Sequence, residues 1–181
     1  MIKEELDQAE AKMDQAVEHT AGEFGTVRTG RANPGLLQRV NVDYYGTRTP
    51  LQQLAGFSVP EARLLVVQPY DKSSINAIER AIQEADLGLN PSNDGNVIRL
   101  AFPMLTEERR NELIRVVRHL AEEGRIAIRN VRRHAKDHIE ALEVSEDDIH
   151  RAEKELQELT DLHTARIDEL LEHKEAELLE V

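Results

Sequence analysis

The sequence predicts an α+β protein of two lobes, in which a long antiparallel three-helix bundle carries a small inserted α/β domain. Apolar residues recur at helical spacing toward both ends of the chain, whereas strand-forming residues gather in its middle between glycine-rich and proline-rich turns. We therefore expect the bundle from residues 1–29 and 105–181, the inserted domain from residues 30–104, and an elongated molecule hinged at both junctions.

The first helix is predicted from an amphipathic pattern that begins at the second residue. Apolar side chains mostly three or four positions apart alternate with charged ones, as on a bundle helix: Ile2, Leu6, Ala9, Met13, Ala16, Phe24 and Val27. The pattern stops near Arg28, and residues 29–35 bring two glycines and a proline. Such residues end a helix and turn the chain, so we expect the first helix to end near Arg28.

The middle of the chain predicts a small mixed domain. Four runs of strand-forming residues are separated by Gly, Pro, Asn and Asp: residues 40–45, 57–59, 64–67 and 97–102. Between the third and fourth runs, Ser73 or Ser74 is expected to cap a short helix that continues through Ala85. Basic and acidic residues balance across residues 30–104, and the arginines there are scattered rather than aligned.

The last part of the chain predicts two long helices. Thr106 precedes Glu107 and Glu108, which is an N-cap hydroxyl followed by acids that complement the helix dipole. The apolar pattern then reaches Leu142, which corresponds to a rod of roughly 55 Å. Ser145 offers a second N-cap, and the short connection predicts that the second and third helices are antiparallel neighbours.

A stripe of basic residues is the main functional signal in the second helix. Its members follow one another at steps of seven, four, three and four: Arg118, Arg125, Arg129, Arg132 and Lys136. They lie within roughly 60° of one another, and the apolar residues are expected on the opposite side: Leu113, Val117, Leu120, Ala127, Val131 and Leu142. The pattern favours an exposed surface that binds an anion, although a solvated face paired with acids such as Glu122 is the ordinary alternative.

Composition excludes several classes of function. The chain has 181 residues and no cysteine, which excludes disulfides and thiolate chemistry and suits a reducing compartment, so we expect a cytoplasmic protein. Aromatic residues are only 3%, which disfavours base stacking, and no stretch approaches the ~20 apolar residues of a membrane span. The net charge is −12, and residues 145–181, with four basic and thirteen acidic residues, would repel a polyanion.

Several motifs follow one another in the order typical of one known family. They are RTGRA at 28–32, YYG at 44–46, DLGLNP at 86–91, LTEERR at 105–110 and RNVRR at 129–133. On these motifs the chain resembles bacterial ribosome recycling factors over its whole length. The resemblance implies a three-helix bundle with a hinged α/β lobe, an outline similar in size to transfer RNA, and a translation factor rather than an enzyme.

The resemblance also implies partners and site residues. It implies binding to the post-termination ribosome, chiefly to large-subunit ribosomal RNA, and separation of the subunits with elongation factor G and the GTP bound to that partner. The expected RNA-binding residues are Arg132, Arg129, Arg133, Arg125, Arg28 and Arg31, and the expected hinge residues are Gly30 and Pro103. We expect a monomer with no cofactor, metal, membrane or small-molecule substrate, since the sequence has no phosphate-binding glycine loop or nucleophile with its base.

Alternatives from a different class remain open at this point. A helical scaffold or chaperone that binds another protein would share the long bundle, but its binding would not weaken steeply with salt. An enzyme in the α/β domain is disfavoured, because that domain has no convergent polar set. Arg28 and Arg31 could instead offset the dipole at the end of the first helix, and Gly30 and Pro103 could be ordinary turn residues.

Two further pairs of residues have ordinary structural explanations. His134 and His138 are four apart, as metal ligands on a helix can be, but the sequence offers no third ligand. We therefore expect histidines at the edge of the bundle. Tyr44 and Tyr45 fall in a predicted strand, where cross-strand packing is the expected role.

Overall fold

The structure, a computed structural model, describes residues 1–180 and consists of two compact units. One unit comprises Met1–Arg28 with Glu107–Glu180, and the other comprises Thr29–Thr106. The helices are α1 (Ile2–Thr26), α2 (Leu51–Leu54), α3 (Ile75–Glu84), α4 (Glu107–Glu140) and α5 (Glu146–Leu179), and the strands are β1 (Asn41–Tyr44), β2 (Thr47–Pro50), β3 (Ala55–Glu61), β4 (Leu64–Pro69), β5 (Pro91–Asn93) and β6 (Ile98–Ala101). The predicted α+β fold class is confirmed.

The first unit is a bundle of three helices. At about 1.5 Å per residue, the 34 residues of α4 and the 34 of α5 make rods of about 51 Å. The connection between them is short, and Ser145 caps α5 as expected, since its Oγ accepts a hydrogen bond from Asp148 N at 3.2 Å. Within residues 1–180, no helix combines the length and apolarity needed to cross a bilayer.

The buried face of α4 differs from the predicted one. Ala127 is exposed, whereas Ile128 and Ile139 are fully buried. The buried residues of this helix are Leu113, Val117, Ala121, Gly124, Ile128, Ala135 and Ile139. Because Ile128 and Ile139 lie between the predicted apolar residues and the basic stripe, the centre of the buried face is about 90° from the stripe instead of opposite to it.

The three helices come close together at Gly124. A Cβ atom at this position would meet Thr20 Oγ1 of α1 and would lie 2.8 Å from Ile167 Cδ1 of α5. Thr20 Oγ1 donates to the carbonyl of Ala16 at 2.9 Å, so its polar atom is satisfied within α1. Glycine is therefore required in the middle of α4 by packing, although it weakens a helix relative to alanine.

One polar cluster joins α1 to α5 and reaches from the buried His163 to the surface. The fully buried ring of His163 has Nε2 2.8 Å from Asp14 Oδ1 and Nδ1 2.6 Å from the carbonyl oxygen of Leu159. Arg166 Nη1 also donates to Asp14 Oδ1 at 2.8 Å. The Asp14 carboxylate thus connects two helices, and its pKa is lowered chiefly by the hydrogen bond with His163.

The second unit holds two antiparallel sheets and α3. The four-stranded sheet has the order β3-β4-β6-β5, and β1 and β2 form a separate hairpin. Ile78 and Ile82 of α3 are buried in the same core as Leu65, Ile98 and Leu100 of the larger sheet. The hairpin turn places Tyr45 at φ 48° and Gly46 at φ 80°, which is the left-handed pair that a tight two-residue turn requires.

The start of α3 corrects the predicted cap. A 3₁₀ turn over Lys72–Ser74 precedes the helix, and neither Ser73 nor Ser74 caps it. Asp71 caps the 3₁₀ turn, because its Oδ1 accepts a hydrogen bond from Ser73 N at 3.0 Å. The hydroxyl of Ser74 donates instead to the carbonyl of Asp71 at 2.6 Å.

Candidate nucleic-acid interface

The basic stripe of α4 lies along the seam with α5. Arg118 Nε is 2.5 Å from Glu175 Oε1, and Lys136 Nζ is 3.1 Å from Glu153 Oε1. The pKa of Arg118 is raised by its hydrogen bond with Glu175, and the pKa of Lys136 is raised by its hydrogen bond with Glu153. These two cations are thus neutralised by carboxylates of the neighbouring helix.

Arg125 is the most enclosed member of the stripe. Only 20% of its side chain is exposed, and its Nη2 and Nη1 lie 2.7 Å from Asp168 Oδ1 and 3.0 Å from Glu122 Oε2. Burial disfavours its charged form, but the hydrogen bonds with Asp168 and Glu122 outweigh burial and raise the pKa of Arg125. Arg125 therefore fastens α4 to α5 and is poorly placed to receive a second anion.

Arg129 shares a carboxylate with Arg125 but is much more exposed. Its Nη1 lies 3.1 Å from Glu122 Oε1, and 53% of its side chain is accessible. The pKa of Glu122 is lowered because both arginines donate to it. Glu122 and Asp168 together balance the charges of Arg125 and Arg129, but the guanidinium group of Arg129 remains accessible to solvent.

Arg132 differs from the other members of the stripe because its hydrogen-bond partner is uncharged. Its Nη1 donates to the amide oxygen of Gln157 at 3.0 Å, and it forms no ion pair with any of residues 1–180. Gln157 Nε2 in turn donates to Asp161 Oδ1 at 2.9 Å. The charge of Arg132 thus has no carboxylate partner among residues 1–180, and one of its five N–H donors is used by a neutral acceptor.

Arg133 lies next to Arg132 on the outer side of α4. It is exposed, and its single hydrogen bond is a long one of 3.4 Å from Nη2 to Asn130 Oδ1. It has no carboxylate partner in the described part of the chain. We call Arg129, Arg132 and Arg133 together the arginine cluster, of which Arg132 and Arg133 have only neutral partners among residues 1–180.

Four of the five stripe residues are therefore paired with acids, which is the ordinary alternative that the sequence left open. Arg118, Arg125 and Lys136 face acids of α5, and Arg129 pairs with Glu122 of its own helix, so Arg132 is the stripe residue without a carboxylate partner among residues 1–180. The acids were missed because the prediction considered the second helix alone. In an antiparallel pair the partner's residue number falls as the cation's rises, so Glu153, Asp168 and Glu175 could have been matched to the stripe in reverse order.

The residues of the first junction are not part of the arginine cluster. Arg28 is exposed after the end of α1, and its side chain has no hydrogen-bond or ion-pair partner within residues 1–180. Since Thr20 packs against Gly124, Arg28 lies on the order of 20 Å from Arg132 along the bundle. Arg31 is exposed in the other unit, Gly30 has φ 76°, and Pro103 is exposed beyond β6.

His138 and the tyrosine pair make side-chain contacts within their own units. His138 Nδ1 lies 3.2 Å from Glu5 Oε2 of α1, and no group of three or more potential metal ligands occurs within residues 1–180. Tyr44 donates its hydroxyl to Asp71 Oδ2 at 3.1 Å and packs edge-to-face against Tyr45 at 4.6 Å. Tyr45 itself is 81% exposed, because it occupies the turn and not the strand.

Comparison with known proteins settles the family. The sequence model described as Ribosome recycling factor matches residues 20–179. The chain belongs to the ribosome recycling factor family. The ribosome-recycling factor of Acidothermus cellulolyticus is 58% identical over 100% of both chains, and that of Rubrobacter xylanophilus is 56% identical over 98% of this chain and 97% of the relative.

Solved structures of recycling factors have the same fold. A solution structure of the ribosome recycling factor is 45% identical, with a TM-score of 0.73, and covers 99% of this chain and 98% of the other. A second structure describes the T. thermophilus ribosome recycling factor and the E. coli elongation factor G bound to the E. coli post-termination complex. It is 46% identical, with a TM-score of 0.63 and coverage of 99% of both chains. The chain is thus a translation factor of ribosome recycling and not an enzyme.

Proposed function

We propose that this recycling factor binds the post-termination ribosome through large-subunit ribosomal RNA and separates the subunits together with elongation factor G and GTP. The proposal is supported by the 46% identical T. thermophilus factor, whose structure is described with elongation factor G on the post-termination complex. GTP hydrolysis then belongs to the partner. The factor is expected to act as a monomer in the cytoplasm, where ribosomes are recycled.

The observation that carries the RNA contact is the uncharged partner of Arg132. Its guanidinium group has a neutral hydrogen-bond partner and no carboxylate among residues 1–180, so a phosphate need not displace an acid to reach it. A planar guanidinium group donates to phosphate in two places, and A-form RNA is contacted mainly through its backbone and shape. Arg132 is therefore proposed as the centre of the interface.

Neighbouring residues support this centre in different ways. Arg129 and Arg133 add exposed positive charge on the same side of α4. Arg125 is proposed to act indirectly, by fixing the seam from which Arg132 projects, because two carboxylates already occupy it. Arg28, after the end of α1, and Arg31, in the second unit, are each proposed as a further RNA contact.

The two connections between the units are proposed to act as a hinge. Gly30 adopts φ 76°, a conformation that residues with a side chain rarely take, and Pro103 lies in the return connection. Small changes at such connections can reorient a whole unit. Elongation factor G is proposed to drive this movement while the arginine cluster stays bound to the large subunit.

Light scattering of purified post-termination ribosomes tests the proposal. Scattering should fall when this chain, elongation factor G and GTP are all present, and it should stay constant when any one is left out. Binding to ribosomes should also weaken steeply as salt rises, because phosphate contacts release counterions. Unchanged scattering with all components would contradict the recycling function, and salt-independent binding would favour a protein scaffold instead.

A further inference from the structure

We propose that Gln157 is a positioning residue for ribosome binding, which orients Arg132 and leaves its charge without a carboxylate partner. The inference rests on the proposed function, in which Arg132 contacts a phosphate. It concerns a residue of α5, the acidic helix that otherwise neutralises the basic stripe. The role follows from what α5 presents at each position along the seam.

Opposite the stripe, α5 presents acids at every contact except one. Arg118, Arg125 and Lys136 are paired with Glu175, Asp168 and Glu153, respectively. Opposite Arg132, the residue of α5 is the neutral Gln157. Arg129 is paired with Glu122 of its own helix, so the amide of Gln157 leaves Arg132 as the stripe residue without any carboxylate partner among residues 1–180.

The amide of Gln157 is held at both ends. Its Oε1 accepts from Arg132 Nη1 at 3.0 Å, and its Nε2 donates to Asp161 Oδ1 at 2.9 Å. Neither contact survives a flip of the amide, because that flip would oppose two donors at Arg132 and two acceptors at Asp161. Gln157 therefore stands as a neutral spacer between the Arg132 guanidinium and the Asp161 carboxylate.

This arrangement prepares Arg132 to receive an anion. A single hydrogen bond to a neutral oxygen restricts the long arginine side chain, so less conformational entropy is lost when a phosphate binds. The same hydrogen bond leaves the other donors available, whereas a carboxylate at this position would bind the guanidinium fork in two places and compete with phosphate. Glutamine provides orientation without neutralisation.

The Gln157→Glu variant tests the inference, because it changes the charge at almost constant size and helix propensity. We expect its Kd for post-termination ribosomes to rise roughly 3- to 10-fold at low salt. The slope of log Kd against log salt should shrink by about 1, as for loss of one phosphate contact. Gln157→Met, which retains shape and neutrality, should weaken binding much less and keep the salt slope.

A matched control separates this effect from the added negative charge itself. Gln15→Glu places the same charge on the exposed side of α1, and it should leave both Kd and salt slope unchanged. Thermal melting of all three variants should match the parent chain, since Gln15 and Gln157 are both exposed. Equal weakening by Gln15→Glu and Gln157→Glu would overturn the inference.

A double-mutant cycle shows whether Gln157 acts through Arg132. In an Arg132→Ala background, Gln157→Glu should cause no further loss, because the group that it would neutralise is gone. If Arg132→Ala weakens binding but Gln157→Glu in the parent chain does not, the proposal for Gln157 is wrong and the proposed RNA contact of Arg132 stands. If Arg132→Ala has no effect, the proposed contact itself is wrong.

Discussion

Gly124 of α4 and Thr20 of α1 lie so close that a Cβ atom on the glycine would overlap the threonine hydroxyl oxygen. Ile167 of α5 closes the same site from the other side at 2.8 Å from that Cβ position. The three helices therefore meet where one of them has no side chain. This relationship sets how closely the bundle can pack.

We expect Gly124→Ala to destabilise the protein by about 1 to 2 kcal/mol. Overpacking of a full core costs about 1 to 3 kcal/mol, and it exceeds the gain of about 0.5 to 1 kcal/mol that alanine brings to a helix. Urea unfolding at neutral pH measures the difference. Gly22→Ala in α1 is the matched control, since a Cβ there meets nothing within 4 Å, and it should stabilise the protein. A stabilised Gly124→Ala variant would show that the seam can relax.

Arg132→Ala should weaken ribosome binding by about 1 to 3 kcal/mol, the value of a charge-assisted hydrogen bond to phosphate. Unfolding should be nearly unchanged, because the side chain forms no ion pair within residues 1–180. Titration of labelled protein with ribosomes at several salt concentrations measures both affinity and salt slope. Arg151→Ala, an exposed arginine elsewhere on α5, serves as the control. Full affinity of the Arg132→Ala variant would show that the RNA contact lies elsewhere on the protein.

Arg125→Ala should show the opposite balance of effects. The residue joins Asp168 of α5 to Glu122 of its own helix with only 20% of its side chain exposed. Its loss should lower the free energy of unfolding by about 1 kcal/mol and reduce ribosome affinity less than Arg132→Ala does. Calorimetric melting and the same ribosome titration compare the two variants. A large loss of affinity at unchanged stability would assign Arg125 a direct contact.

Stability at low pH should depend on the cluster around Asp14. Hydrogen bonding with His163 is the main reason that the pKa of Asp14 is below its ordinary value, which is about 4. A group whose pKa is lowered by folding adds stability above its unfolded pKa and loses it as pH falls through the folded value. Asp14→Asn should therefore reduce stability at pH 7 and flatten its decline below pH ~4.

The control for this cluster is Asp7→Asn, an exposed carboxylate of α1 that forms no ion pair in the described chain. Urea unfolding at several pH values between about 2.5 and 7 compares both variants with the parent. Asp7→Asn should leave the pH profile nearly parallel to that of the parent. Identical profiles for Asp14→Asn and the parent would mean that solvent screens the cluster completely.

Gly30→Val tests the hinge. At φ 76° a β-branched side chain is strained, and relief of that strain should shift the conformation of the connection. We expect Gly30→Val to slow subunit splitting clearly, with only a small fall in the melting temperature. Gly88→Val, at φ 71° inside the second unit, is a matched control with the same backbone strain. Equal effects of the two variants on splitting would make Gly30 an ordinary turn residue.

Much of the fold could be predicted because its signals are local. The amphipathic period places α1, α4 and α5 within a few residues, and the Ser145 cap is visible in the sequence because it bonds a residue three positions on. The cap before α3 was assigned to the wrong side chain. Asp71, Ser73 and Ser74 all have capping oxygens, and their backbone decides among them.

The site could be predicted in part. Helical spacing and family resemblance both point to Arg132 and Arg129, whereas Arg133 follows from the resemblance alone. Arg132 and Arg133 have no carboxylate partner among residues 1–180, and the side chain of Arg129 is 53% exposed. The role of Arg125 could not be read from α4 alone, because its partner Asp168 lies on another helix. Charge on one helix face depends on what packs beside it, and this requires the register of two helices.

The bundle is built from the two ends of the chain, and this has a consequence for how the protein is made. Thr20 emerges during synthesis long before Gly124 and Ile167, so α1 must wait with its apolar face uncovered until translation is almost complete. The intervening Thr29–Thr106 segment is contiguous and can bury its own core during that wait. The protein is therefore most exposed to aggregation during synthesis, while the apolar face of α1 has no partner helix.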